Sequence, residues 1–231
     1  MLALLHTSPV HVPVFDALRD ENHQGLELRH FVDEELLDRA RAKGPEAVAD
    51  DLRAVLERAV ADGARAVLCT CSTLGGVAET AGAGVGVPVL RGDRPMAAAA
   101  VAAGSRVVVL GTLESTFGPT VSLIEEEARR AGRPVEVRPR LVEGAWQRFE
   151  AGDTESYARL VAAEADEVAD ADAIVLAQPS MAPAQQLTTT SVPVLSSRRG
   201  WGAGGADRAV ALTSSGQAPG GPPRARGDFG E

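Results

Sequence analysis

The chain has 231 residues, a formal net charge of -9, 45% apolar and 24% charged residues. That is ordinary globular composition, with enough length for one sizeable domain or two small lobes. The acidic surplus argues against a nucleic-acid or anionic-membrane partner, which clustered Lys and Arg would have to hold. It leaves room for a small anionic ligand, which feels only the field of its own pocket. No run of 18 apolar residues predicts a membrane span, and the apolar run Met1–Leu5 is too short for a signal peptide. Cys69 and Cys71, two apart, are poorly placed for a mutual disulfide, so a reduced, cytoplasmic setting is expected.

Short β-branched runs alternate with helical stretches along the chain. Residues 2–5 read as a first strand, followed by a turn at Ser8-Pro9, a helix near 14–21 and a strand over 26–32. Apolar residues at helical spacing (Val48, Leu52, Val55, Leu56, Ala59) predict a helix over 45–61, with Pro45 in its first turn. Strands follow at 64–70 and 87–90. The order then recurs: helix 96–103, strand 106–110, helix 116–131, strand 135–140, helix 155–169, and strands 173–177 and 192–195. Strands separated by helices imply parallel pairing with right-handed crossovers.

The recurrence is also visible residue by residue. Ala64 to Leu74 lies ungapped over Ala171 to Met181, which sets Cys71 against Gln178. Val87-Pro88-Val89-Leu90 lies over Val192-Pro193-Val194-Leu195, and Leu5-His6-Thr7 over Leu110-Gly111-Thr112. The expected fold is therefore α/β, with two pseudo-symmetric Rossmann-like halves whose parallel sheets face a shared cleft. The first half would span residues 1–95, with its last strand region free to cross over, and the second 96–197. Strand ends facing one cleft are where such sheets bind ligands. From 198 to 231 Gly, Pro, Ser and Arg dominate, and this tail is expected to be disordered.

Cys71-Ser72-Thr73 ends the third strand and precedes Leu74-Gly75-Gly76. If a helix starts there, its free N–H groups favour a thiolate and a bound carboxylate. The alternative is a small core cysteine, and Cys69, inside the strand, reads as one. No His or second cysteine pair completes a metal site. Thr112, Ser115 and Thr116 follow the strand at 106–110, and Ser115 reads as the N-cap of the helix through 131. Thr7, Ser8 and His6 occupy the symmetric place in the first half. His6 can titrate near neutral pH or serve as a buried structural imidazole. Gln178 and Ser180 are the repeat partners of Cys71 and Thr73. Arg91 and Arg94 follow the fourth strand, where they meet either solvent or a second carboxylate. The G-x-S-x-G, P-loop and dinucleotide patterns are absent, since Gly82-Gly84-Gly86 leads into a strand.

These residues resemble the aspartate/glutamate/hydantoin racemase superfamily over roughly residues 1–197. Thr70-Cys71-Ser72-Thr73 is similar to its Cys-Asn-Thr or Cys-Ser-Ser box, and Gly111-Thr112-x-x-Ser115-Thr116 to its Gly-Thr-x-x-Thr segment. Leu176-Ala177-Gln178 falls where that family has Leu-Gly-Cys. The resemblance implies a cofactor-independent isomerase of the racemase or epimerase type, acting on a small carboxylate such as an amino acid. It implies Cys71 as acid/base, with Thr73, Thr112, Ser115 and Thr116 as carboxylate donors. Ser72, Thr7, Ser8, Gln178 and Ser180 complete the expected substrate site, and a homodimer is an expectation that the resemblance carries. Gln178 departs from the family pattern, because an amide neither takes up nor releases a proton near pH 7. His6 is then the candidate second acid/base. A single-cysteine decarboxylase, a maleate-type isomerase and a non-catalytic small-acid binding protein are the alternative readings.

Overall fold

The structure, a computed structural model, describes residues 1–197; the tail expected over 198–231 lies outside the described residues. Strands β1 (Leu2–His6), β2 (Leu28–Val32), β3 (Ala66–Cys69) and β4 (Val89–Arg91) form one parallel sheet in the order β2-β1-β3-β4. Strands β5 (Arg106–Gly111), β6 (Glu136–Leu141), β7 (Ala173–Leu176) and β8 (Val194–Ser196) form a second in the order β6-β5-β7-β8. The two orders are the same once each strand is replaced by its counterpart four places on. The loops that leave the carboxyl ends of equivalent strands therefore occupy equivalent places in the two sheets.

Burial explains which strands are central. Every residue of β1, β3 and β7 is buried, as expected for a parallel sheet covered on both faces. Edge strand β6 is mostly exposed and contains Pro139, which an edge tolerates because one side of the ladder needs no donor. Strands β4 and β8 begin after Pro88 and Pro193, two residues later than the apolar runs suggest. Each proline lacks an N–H, but its carbonyl accepts from Val67 N or Ile174 N, both at 2.9 Å.

Eight α-helices are present among the described residues: α1 (Val12–Asn22), α2 (Glu34–Lys43), α3 (Ala49–Ala61), α4 (Gly75–Ala81), α5 (Arg94–Ala103), α6 (Phe117–Ala131), α7 (Ala145–Glu150) and α8 (Thr154–Asp166). The helix expected over 45–61 divides into a 3-10 turn at Pro45–Val48 and α3. Helices α2 and α7 were not expected from the sequence. Helix α2 buries only Leu36 and Ala40, but it is well specified at its ends: Asp33 accepts from Leu36 N at 3.2 Å, Glu34 and Glu35 occupy the first turn, and Arg41 and Lys43 the last. Helix α7 has six residues, too few to show a period. Helix α6 stops at Gly132, whose φ of 62° is the left-handed conformation glycine adopts without a Cβ penalty.

Helix α5 follows β4 but packs on the second sheet, where Met96, Ala97, Ala100 and Val101 meet Val107, Val109 and Val175. On the first sheet Leu52 and Leu56 of α3 are fully buried with Leu5 and Val67. Cutting either back to alanine would cost about 2–5 kcal/mol. Among the described residues no helix is long and apolar enough to cross a membrane.

Candidate active site

The chain leaves β3 into Thr70-Cys71-Ser72-Thr73. Thr70 is tied to β1 twice, its N–H and its hydroxyl each donating to the Leu5 carbonyl at 3.0 Å. The Ser72 hydroxyl donates to the Ala177 carbonyl at 2.7 Å, which joins this loop to the end of β7 in the other half. Between these anchors Cys71 is half-buried and lines a cavity of about 70 Å³. Cys69 is only 1% exposed, and burial, followed by the neighbouring Cys71, pushes its thiol above the usual cysteine range. Helix α4 begins at Gly75 with Leu74 as its cap, so Cys71 does not sit at the helix start that the sequence suggested.

The cavity also contains Thr7, Ser8, Thr73, Thr116, Gln178 and Ser180. The carboxyl ends of β1, β3, β5 and β7 thus meet there. Their hydrogen bonds divide the expected donors into two groups. Ser72, Thr112 and Thr116 already direct their hydroxyl protons to Ala177 O, Gln178 Oε1 and Leu113 O. Thr7, Ser8 and Thr73 make no side-chain hydrogen bond among the described residues, although Thr7 and Thr73 are 8% and 6% exposed. Nearly buried hydroxyls that face a cavity and have no partner there are able to donate into it. Ser180 shares a 2.8 Å bond with the hydroxyl of buried Tyr157. Ser115 is outside the cavity and is not the cap of α6. It lies within a 3-10 turn, Glu114–Thr116, and the helix starts at Phe117.

His6 does not reach the cavity. It is 0% exposed, with Nδ1 2.8 Å from Thr70 Oγ1 and Nε2 2.9 Å from His30 Nδ1. Because the Thr70 hydroxyl donates to Leu5 O, it must accept from His6, which places the His6 proton on Nδ1. His6 Nε2 then accepts from His30 Nδ1, and His30 Nε2 faces Asp16 Oδ1 at 3.3 Å, a carboxylate that can only accept. Burial first, then His30 and His11, lower the His6 pKa from 6.5 to about 3. A neutral imidazole with both nitrogens occupied, standing behind Thr70, does not line the cavity.

Gln178 is 7% exposed. Its Oε1 accepts from both the backbone N–H of Thr112 at 2.7 Å and its hydroxyl at 2.8 Å. An N–H cannot accept, so the amide orientation is fixed and the NH₂ end is the one left for the cavity.

Several wall residues were not singled out from the sequence: His11, Leu37, Arg41, Trp146 and Phe149. His11 closes a 3-10 turn after β1, Leu37 and Arg41 come from α2, and the two aromatics from α7. The Arg41 guanidinium lies 5.3 Å from the centre of the Trp146 ring, a cation–π contact across the cleft. Rarity was the available signal, since Trp146 is one of two tryptophans in the chain. Among the described residues Arg41 is the one Asp, Glu, Lys or Arg side chain in the cavity wall, so the fixed charge they give it is positive. Arg91 and Arg94, for which solvation was one expectation, are not free surface cations. Arg91 is 6% exposed and paired with Asp93, and Arg94 pairs with Glu79, Glu126 and Glu127.

A larger open groove of about 850 Å³ runs between α4 and α6. It contains neither Cys71 nor Gln178, both of which line the smaller cavity. Among the described residues no three His, Cys, Asp or Glu side chains gather as a metal-ligand cluster.

Comparison with known proteins agrees with this layout. The structure resembles glutamate racemase from Francisella tularensis in complex with D-glutamate, with a TM-score of 0.69 at 11% identity over 93% of this chain and 81% of that one. It resembles an aspartate racemase from Picrophilus torridus (TM-score 0.63, 16% identity, 93% of both chains) and an arylmalonate decarboxylase (TM-score 0.57, 19% identity, 94% of both). No curated protein matches in sequence. At these identities the likeness establishes the fold. A sequence profile described as Asp/Glu/Hydantoin racemase matches residues 14–199, and the chain belongs to that family.

Proposed function

We propose that this protein is a cofactor-independent enzyme that moves the α-proton of a small carboxylate, such as an amino acid, with Cys71 as acid/base. The observation that carries this reading is the company Cys71 keeps: a half-buried thiol in one cavity with the unpartnered hydroxyls of Thr7, Ser8 and Thr73. A carboxylate held by those hydroxyls and by the Gln178 NH₂ places its α-carbon beside the sulfur. When the Cys71 thiolate takes the α-proton, the C–H electron pair moves into the carboxylate, and the same donors stabilise the enediolate that forms. A cytoplasmic, reducing setting keeps the sulfur available.

Return of the proton decides the outcome. Among the described residues lining the cavity, His11 is, besides Cys71, the side chain whose chemistry suits proton transfer near neutral pH. Delivery from that imidazole to the opposite face makes a racemase or epimerase, the reading that membership of the family supports. A second reading, favoured by Gln178 in place of a second thiol, has Cys71 alone protonating one face after loss of carbon dioxide from a malonate.

The test is proton NMR in deuterium oxide across a panel of amino and hydroxy acids, with malonates assayed for carbon dioxide release. Deuterium entering the α-position in wild type and not in Cys71→Ser supports the proposal. Carbon dioxide release without exchange selects the second reading. Binding with neither reaction identifies a small-acid binding protein and overturns the enzymatic one.

A further inference from the structure

We propose that Arg91 is a positioning residue that sets the Cys71 loop; the consequence for catalysis rests on the role given to Cys71 above. Arg91 ends β4, and its guanidinium is directed beneath the loop after β3. Nε donates to Asp93 Oδ1 at 2.6 Å and Nη2 to Asp93 Oδ2 at 2.8 Å, a forked ion pair between residues 6% and 3% exposed. Nη2 also donates to the Ser72 carbonyl at 3.3 Å. The last bond gives the pair its purpose. A buried ion pair is weak support for a core, because apolar side chains of similar volume can replace it. Apolar side chains cannot hold a carbonyl.

Ser72 is thereby fixed from two directions. Its carbonyl is held by Arg91 in the first half and its hydroxyl by Ala177 O in the second. The residue next to Cys71 is thus registered against both sheets at once. The Arg91 bond fixes the peptide between Ser72 and Thr73, and so the relative placement of the thiol and the Thr73 hydroxyl.

The same arrangement accounts for two sequence features that the function had left unexplained. Leu74-Gly75-Gly76 resembles a glycine-rich turn, yet its role is to admit the guanidinium. A Cβ at Gly75 would lie 2.8 Å from Arg91 Nε and 3.0 Å from its Cβ, and one at Gly76 3.5 Å from Nη1. Arg91-Gly92-Asp93 is an internal fork, with Gly92 N held by Cys69 O at 2.9 Å.

Three variants test the proposal. Arg91→Met with Asp93→Asn removes the fork without leaving a buried charge, Arg91→Lys keeps the charge without the fork, and Gly75→Ala displaces the guanidinium while keeping Arg91. Each is assayed for thermal midpoint, for kcat and KM of α-proton exchange, and for the pH profile of Cys71 alkylation by iodoacetamide, read by mass spectrometry. For the double variant and Gly75→Ala the expected result is a kcat lower by about tenfold or more with KM within about threefold. Arg91→Lys should fall between them and wild type, and the alkylation profile at Cys71 should move in every variant that remains folded. A kcat within about twofold of wild type in both of the stronger variants overturns the proposal, as does a kcat that falls only with the folded fraction. If Cys71→Ser retains full activity, the catalytic reading fails instead. Alkylation then decides the role of Arg91, and an unchanged Cys71 profile rejects it.

Discussion

The Gln178 side-chain oxygen receives both the N–H and the hydroxyl of Thr112, at 2.7 and 2.8 Å. Gln178 stands in the repeat where Cys71 stands in the first half, so the two halves present different chemistry on one symmetric frame. One offers a thiol and the other an oriented amide donor. Replacing Gln178 with leucine leaves the buried Thr112 N–H unpaired, at about 1–3 kcal/mol. Gln178→Cys should restore a second proton-transfer group. We expect it to raise the ratio of inversion to α-deuterium exchange, measured by chiral chromatography against NMR. An unchanged ratio would show that the position does not face the α-carbon.

The two cysteines should behave oppositely. Cys71→Ser should lower exchange by at least about a hundredfold, the usual contribution of a positioned acid or base. Cys69, buried and donating to the Cys71 carbonyl at 3.6 Å, contributes packing. Cys69→Ala should keep most of the activity while lowering the urea midpoint. The reverse ranking in steady-state assays would move the chemistry from Cys71 to Cys69.

The alternation of strands and helices was legible in the sequence because the buried strands are short apolar runs with nothing else to do. The repeat was legible because β3 and β7 occupy equivalent central places and need similar residues. The site was only half legible. Cys71, Thr73 and Gln178 sit at strand ends, where position follows from pattern. His6 looked equivalent to them, but alternation along β1 does not tell whether a strand-end side chain points into the cleft or behind Thr70. His11, Arg41 and Trp146 reach the cavity from three separate elements, and no local spacing in the sequence brings those together.

Arg41 supplies the cavity's fixed positive charge and is held over Trp146, a contact of about 0.5–1 kcal/mol at an exposed site. Arg41→Leu should therefore act on binding more than on chemistry. We expect KM for a carboxylate substrate to rise about fivefold or more with a smaller change in kcat, and the salt dependence of kcat/KM to flatten. Initial-rate kinetics at low and high ionic strength measure both. Equal losses in kcat and kcat/KM would place Arg41 in the transition state instead.

His6 makes the fold less stable as the pH falls, because the folded chain keeps its imidazole neutral. Its pKa is about 3 in the folded chain against an ordinary 6.5, so between those values the unfolded chain holds a proton that the folded one refuses. Stability from this group is fully present above pH 6.5 and falls as the pH drops toward 3, with a limiting slope of about 1.4 kcal/mol per unit. At pH 5 the loss is about 2 kcal/mol. His30 and His11 face His6, and Asp16 faces His30, so neighbouring groups titrate as well. The comparison with a variant isolates the His6 share. In urea denaturation at pH 7 and pH 5, wild type should lose about 2 kcal/mol more than His6→Leu, whose side chain cannot protonate. The variant should start lower, since Thr70 and His30 each lose a partner. Equal losses in the two proteins would mean that His6 is already charged in the fold, and the bond between His6 Nε2 and His30 Nδ1 would then run from His6 to His30.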